Sequence, residues 1–277
     1  MKKIVYLIVV LSVFISCSSS KRDEKQLKKK NAKAEYIVRR HDTRFFPIFT
    51  PKKQTRDLYP WEDGKIDNIS KITKDFFRCK GSSLNPTIFD DKSIEKPLAY
   101  EDCQGASKHS LPIINKKENV YPILIEILNF LQSKTRKRVV ITSGHRCPKH
   151  NSYCNSSKEN RTSKHLIGAE VDFYIQGLEE KPEEVVDLIL SFFKENKRYL
   201  GKKEFTDFLR YENETNVCVK PWYNKEVFVK LFQKEEGRDF DNRHPYPYIS
   251  IQVRYDRDTK ERVVYSWEKA NTGYLRW

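Results

Sequence analysis

Two short segments hold the residues best suited to chemistry. The first is Ile141-Thr142-Ser143-Gly144-His145-Arg146-Cys147-Pro148; the second is Ser163-Lys164-His165-Leu166-Ile167-Gly168-Ala169-Glu170-Val171-Asp172-Phe173. Imidazole and carboxylate groups, here His165 and Asp172, are good zinc ligands. A zinc ion held by them stays Lewis-acidic enough to activate water. A planar guanidinium such as that of Arg146 suits recognition of a carboxylate or an oxyanion. If the second segment ends in a strand, residues 170 and 172 face the same side, about 7 Å apart along it. Glu170 is then a candidate metal ligand, a general base, or a partner in a salt bridge.

The surrounding pattern supplies elements that can position these residues. Val120, Leu124, Ile127, Leu128 and Leu131 recur at helical spacing, and the basic segment Lys134–Arg138 ends that helix with favourably placed cations. Val139-Val140-Ile141 reads as a short buried strand. Pro182, Glu183 and Glu184 mark the start of a second helix, which continues through Val185, Leu188, Ile189 and Phe192. Tyr248–Tyr255 and Arg262–Trp267 read as a hairpin, and a short helix is expected around Ile69–Phe77. Helices and strands without strict βαβ alternation predict an α+β domain.

The turn Ser143-Gly144-His145-Arg146, followed by Ser163, His165, Gly168 and Asp172 in step, resembles the zinc D-Ala-D-Ala peptidases of the M15 type. These belong to the superfamily shared with murein endopeptidases and the hedgehog signalling domain. The resemblance covers residues 67–255 and is strongest over 120–173. It implies a hedgehog/DD-peptidase-like domain over residues 42–277, a mostly antiparallel sheet with flanking helices, with its motif core at 120–255. It also implies a zinc cofactor held by His165 and Asp172, Arg146 as the catalytic and substrate-binding cation, Ser163 as a peptide-positioning group, and peptidoglycan stem peptides as substrates. His145 stands where such proteins often have Tyr, and is expected to fill the same turn.

Two positions depart from that pattern. The third ligand is expected from the late strand Tyr248–Val253, where Ser250 stands in place of a histidine. His244 lies six residues earlier, up to about 20 Å of extended chain away, and reaches the site only if the loop is rearranged. Glu170 stands where the pattern has alanine, as a possible replacement ligand or base, or as a salt-bridge partner in a site without metal. A remodelled zinc hydrolase and a catalytically inactive wall-binding protein therefore both stand, beside a surface lipoprotein that binds polyanions. His41, His109 and His150 lie among polar residues and are expected to be exposed; Arg238–Arg243 reads as a solvated loop or a cleft lining. Tyr246, Tyr248, Trp267 and Trp277 read as core or rim.

Composition bears on location. Lys2 and Lys3 precede an apolar run, Ile4–Ile15, too short to span a bilayer, which needs roughly 20 residues. Residues 1–16 read as a signal peptide of the lipoprotein kind with Cys17 as the lipidated residue, or as an ordinary signal that leaves Cys17 a plain thiol. Of the formal +15, the two lysines leave with the signal, residues 21–40 carry +6, and +7 remains on residues 41–277. Residues 17–41 read as a basic tether beside anionic headgroups. An exported chain seldom meets nucleic acid, so wall polymers, stem peptides and the membrane are the expected partners. Oxidising surroundings favour disulfides, with Cys79 paired to Cys103, Cys147 to Cys154, and Cys218 free. No two cysteines have CxxC spacing, so a zinc cluster of that type is not expected.

Overall fold

Alternating apolar residues along the late strands and two amphipathic helices determine the frame. The computed structural model describes residues 65–66, 69–81, 103–154 and 162–277. Its first elements are a hairpin, β1 (Lys65–Ile66) and β2 (Ile69–Ser70), and a 3-10 turn at Lys74–Phe77. Strands β3 (His109–Ile114) and β4 (Lys117–Glu118) precede helix α1 (Pro122–Thr135), strand β5 (Val139–Ser143) and helix α2 (Pro148–Cys154). Strand β6 (Glu170–Ile175), helix α3 (Pro182–Glu195) and helix α4 (Lys203–Thr206) follow. Next come β7 (Leu209–Arg210), β8 (Trp222–Tyr223), β9 (Val227–Phe232) and β10 (Tyr248–Val253). A hairpin of β11 (Tyr255–Asp256) and β12 (Glu261–Arg262), helix α5 (Trp267–Thr272) and β13 (Tyr274–Arg276) complete the described elements.

The main sheet has six strands in the order β5-β6-β10-β9-β8-β7, every pair antiparallel. A second sheet has the order β13-β3-β4. The architecture is thus mixed α and β with mostly antiparallel pairing. Strands alternate faces with period two. Val171, Phe173 and Ile175 of β6, Ile249, Ile251 and Val253 of β10, and Val227, Val229 and Leu231 of β9 all enter the core. Helices α1 and α3 cover that face with Leu124, Ile127, Leu128, Leu131, Val185, Ile189 and Phe193. The intervening positions, Glu170, Asp172, Ser250 and Gln252, are left for the opposite face, where they line a cleft.

Both helices start where the sequence places a proline at the first turn, where its missing N–H costs nothing. Helix α1 ends as Arg136 turns left-handed at φ 56° and returns its N–H to the Gln132 carbonyl. β5 pairs with β6 through a bulge between Ile141 and Ser143. The extra residue lets the consecutive side chains of Thr142 and Ser143 both reach the 241–242 segment, which a regular strand would not allow. Gly144 lets the turn after β5 close in, since a Cβ there would lie 2.6 Å from the Phe77 Cα.

Several expected elements change. Ile69–Phe77 is a short strand and a 3-10 turn, because the Ile72 N–H is taken by the Asn129 side chain of α1. The late hairpin is shorter than expected, and Trp267 opens helix α5, whose N-cap is the Ser266 hydroxyl. Residues 1–64, which include the expected signal, Cys17, the tether and His41, lie outside the described residues. Among the described residues no helix is long and apolar enough to cross a membrane.

One buried acid makes the fold sensitive to pH. Glu226 is fully buried before β9, with the Tyr199 hydroxyl donating to it at 2.6 Å. Burial, outweighing Tyr199 and Arg257, pushes its carboxyl from 4.5 up to about 6. A carboxyl raised in the folded state lends stability below its ordinary pKa that is lost as pH rises through the raised value. Urea melts of wild type and Glu226→Gln between about pH 4 and pH 7 should diverge as pH rises, the variant gaining on the order of 1–2 kcal/mol. Parallel curves would refute this.

Candidate active site

The Ser163–Asp172 segment folds as a 3-10 turn over Lys164–Ile167 followed by β6. Ser163 caps the turn, its hydroxyl accepting the His165 N–H at 3.3 Å. Gly168 ends it at φ 67°, a conformation that favours glycine, and its N–H returns to the His165 carbonyl. His165 is thereby turned inward, with Nδ1 2.6 Å from the Gly144 carbonyl. Nδ1 must be the protonated nitrogen of a neutral ring there, which leaves Nε2 free for a metal.

Nε2 of His165 lies 3.2 Å from Asp172 Oδ2 and 3.8 Å from Glu170 Oε1. These three buried side chains form a group able to hold a metal ion. The spacings fit a tetrahedral centre, in which nitrogen and oxygen ligands about 2.1 Å from zinc lie roughly 3.4 Å apart. In the register of β6 with β10, Ser250 faces Asp172 and Gln252 faces Glu170. Ser250 Oγ and Gln252 Nε2 donate to Glu170 Oε1 at 3.0 and 2.7 Å, and Ser163 Oγ donates to Oε2 at 3.4 Å. Asn242 Nδ2 donates to Asp172 Oδ2 at 2.8 Å. Burial opposes charge on His165, but Glu170 and Asp172 outweigh it and raise its pKa. The same pairing, with Arg146, holds Asp172 below the usual carboxylate range against burial.

Beside this group Arg146 is buried, 3% exposed, among carboxylates. Its Nε donates to Ser143 Oγ at 2.6 Å and to Asp241 Oδ2 at 2.9 Å. Its Nη2 lies 2.8 Å from Asp239 Oδ2 and 3.7 Å from Asp172 Oδ2. Ser143 and His150 also bind Asp241, at 2.8 and 3.0 Å. His150, Cys154 and Asp241 are a further group of potential ligands. Burial would neutralise Asp241, yet His150 and Arg146 prevail and hold it well below the usual range. Asp239 is raised by burial, with Asp241 and Asp172 adding to it against Arg146. The cleft above these groups measures about 420 Å³ and is lined also by Lys164, Lys230 and Tyr248, a size common for small-ligand sites.

Sequence reasoning brought Arg146, Ser163, His165, Glu170 and Asp172 together, and the structure does the same. Of the two readings of the 238–243 segment, the cleft lining holds for Arg238 and Asp239, with Asp241 and Asn242 buried behind them; the individual roles of Asp239, Asp241 and Asn242 were not foreseen. The Asp239 carboxylate takes the N–H groups of Asp241 and Asn242, and the Arg238 guanidinium takes the carbonyls of Gln233, Asn242, His244 and Tyr246. The density of charge in that loop was the signal, since buried charges have to be paired. His244 does not join the metal group. It packs against Tyr174 and Tyr246, where burial, with Arg238 and Lys80, lowers its pKa to about 4. His109 and His150, expected at the surface, are 4% and 2% exposed. Tyr248 is buried and stacked on Phe232, whereas Trp267 and Trp277 are exposed.

The expected disulfides are not formed. Cys79, Cys103, Cys147 and Cys154 are free and buried, and Cys218 is a free exposed thiol. Cys147 and Cys154 sit at either end of α2, and seven residues of helix separate Cα atoms by about 10 Å, beyond disulfide reach. Cys147 lies instead beside Cys79 and Cys103, while Cys154 belongs to the Asp241 group.

No family model, curated protein or solved structure matches the chain.

The charge network is open to direct test. Asp241→Asn should cost about 3–5 kcal/mol in urea unfolding at neutral pH, because Arg146 and His150 stay buried without their shared counter-charge. Ser143→Ala should cost only about 1 kcal/mol. The Asp241 contribution is present above its ordinary pKa and is lost as acid protonates it, so the two proteins should converge at low pH. Equal stabilities at neutral pH would show that the pairing is dispensable.

Proposed function

We propose that the protein is an exported, lipid-anchored envelope hydrolase with a hedgehog/DD-peptidase-like domain, acting on D-Ala-containing peptidoglycan stem peptides with zinc. The observation that carries the reading is the replacement at Ser250. Ser250 sits opposite Asp172 and gives its hydroxyl to Glu170, whose carboxylate comes within 3.8 Å of His165 Nε2. Glu170 thereby stands in for the missing histidine, and His165, Glu170 and Asp172 make three protein ligands with a fourth position open. That number is typical of catalytic zinc.

When bound there, zinc supplies Lewis acidity for a peptide carbonyl and lowers the pKa of water. The chain supplies the rest. The Gly144 carbonyl fixes the His165 tautomer, and the Asn242 amide orients the Asp172 carboxylate. Arg146 lines the cleft with Nε anchored on Ser143 and Asp241 and Nη2 beside Asp239, so its held positive charge lies next to the terminal carboxylate or developing oxyanion of a bound peptide. Ser163, at the rim of the same cleft, positions the peptide backbone. Lys164 and Lys230 add positive charge for an anionic stem peptide. The basic tether and lipid at Cys17 would keep the domain near the wall.

A second reading, a wall-binding protein without hydrolysis, is favoured by the hydrogen bonds that satisfy Glu170 and Asp172 without metal. Release of D-Ala from a pentapeptide ending in D-Ala-D-Ala separates the two. The zinc-loaded protein should release D-Ala, and His165→Ala should abolish release along with the zinc bound at this site. Glu170→Gln should weaken that zinc at least tenfold. Peptide binding without release at full zinc occupancy would establish the wall-binding reading. Undiminished zinc affinity with lost turnover would make Glu170 the base and not a ligand.

A further inference from the structure

Three cysteines and a histidine from three separated stretches converge beside the Arg146 turn. Cys79, Cys103, His109 and Cys147 each present a ligand atom, and these atoms all lie within 4.8 Å of one another. All four residues are buried, at 3%, 9%, 4% and 2% exposure. Cys79 Sγ and Cys103 Sγ are 3.7 Å apart. A disulfide needs about 2.05 Å, whereas two thiolates on one tetrahedral zinc, each about 2.3 Å from it, stand roughly 3.8 Å apart.

His109 adds an independent sign. Its Nδ1 is 3.1 Å from the Ser110 carbonyl, which leaves Nε2 as the lone-pair nitrogen. That Nε2 is buried with no hydrogen-bond partner, an arrangement that burial makes costly unless something fills it. Backbone N–H groups point at the sulfurs as they do around metal thiolates: Gly105 to Cys103 at 3.3 Å, His150 to Cys147 at 3.4 Å. Gly105 sits at φ 54°, where a Cβ would strike the Cys79 carbonyl at 2.4 Å, so the two cysteine segments approach as closely as backbone permits. Tyr274 covers the cluster with an apolar ring.

We propose that Cys79, Cys103, His109 and Cys147 form a structural zinc site of the Cys3His type. The four protein ligands complete a tetrahedron, so this centre has no open position and no hydrolytic role. Its effect on the cleft is positional. Cys147 directly follows Arg146, and His150, whose N–H meets the Cys147 sulfur, holds Asp241 at 3.0 Å. The metal therefore ties the 79–81 and 103–109 segments to the turn that carries the buried guanidinium.

The test uses the purified chain loaded with Co2+ in place of zinc, because thiolate ligands give a sulfur-to-cobalt charge-transfer absorption that histidine and carboxylates do not. Wild type and Cys218→Ser should show the band, and Cys79→Ser and Cys147→Ser should lose most of it. His165→Ala should keep it, which separates this centre from the one proposed in the cleft. Metal analysis of the wild type should find about two zinc ions if both centres load and about one if only this one does. Absence of the band in wild-type protein, a reading that needs no variant to fold, would overturn the proposal. So would peptide mapping of thiol-blocked protein that finds Cys79 and Cys103 disulfide-bonded.

Discussion

A buried guanidinium organises this structure. Arg146 is almost entirely withdrawn from water, and removing such a group from water costs several kcal/mol unless opposite charge replaces the lost hydration. Asp241 and Asp239 meet it at 2.9 and 2.8 Å, with Asp172 beyond them at 3.7 Å. These acids come from β6 and from the 238–243 loop, so neutralising one cation requires the sheet and that loop to be in place together. His150 on α2 leans on the same Asp241, which adds the helix after the turn to the assembly.

The sheet supplies the geometry that this charge balance needs. Period-two alternation sends the apolar half of β6, β9 and β10 into the core under α1 and α3, and turns Glu170, Asp172, Ser250 and Gln252 toward the cleft. A bulge in β5 breaks the alternation once, where Thr142 and Ser143 must both reach the loop. Two of the three candidate metal groups are then tied to one turn. His165 is tied to Gly144 and Cys147 follows Arg146, so the turn couples the cleft to the cysteine cluster.

Much of this was legible from local pattern. The periodicity of Val120–Leu131 and of the segment after Pro182 located both helices, since each is decided by contacts along its own face and by proline at its start. The alternation after Gly168 placed Glu170 and Asp172 on one face, and the register of β10 sets Ser250 opposite Asp172. The errors lie where partners are far apart in sequence. The 238–243 loop could be read as solvated or as a cleft lining, because its counter-charge, Arg146, is nearly a hundred residues away. His109 and His150 looked exposed because the groups that bury them come from other segments.

The cysteines mark the same division most sharply. Sequence spacing offered Cys147 and Cys154 as neighbours, but a helix between them holds their sulfurs apart and delivers each to a different cluster. By itself the sequence determined the two long helices, the faces of the strands around them and the residues flanking His165 in its own segment, because those follow from periodicities of a few residues. Only the tertiary structure decided which cysteines meet, which histidine is left with an unpartnered nitrogen, and which acids neutralise Arg146. Those outcomes depend on long-range closure of the chain around buried charge and sulfur, which no local pattern records.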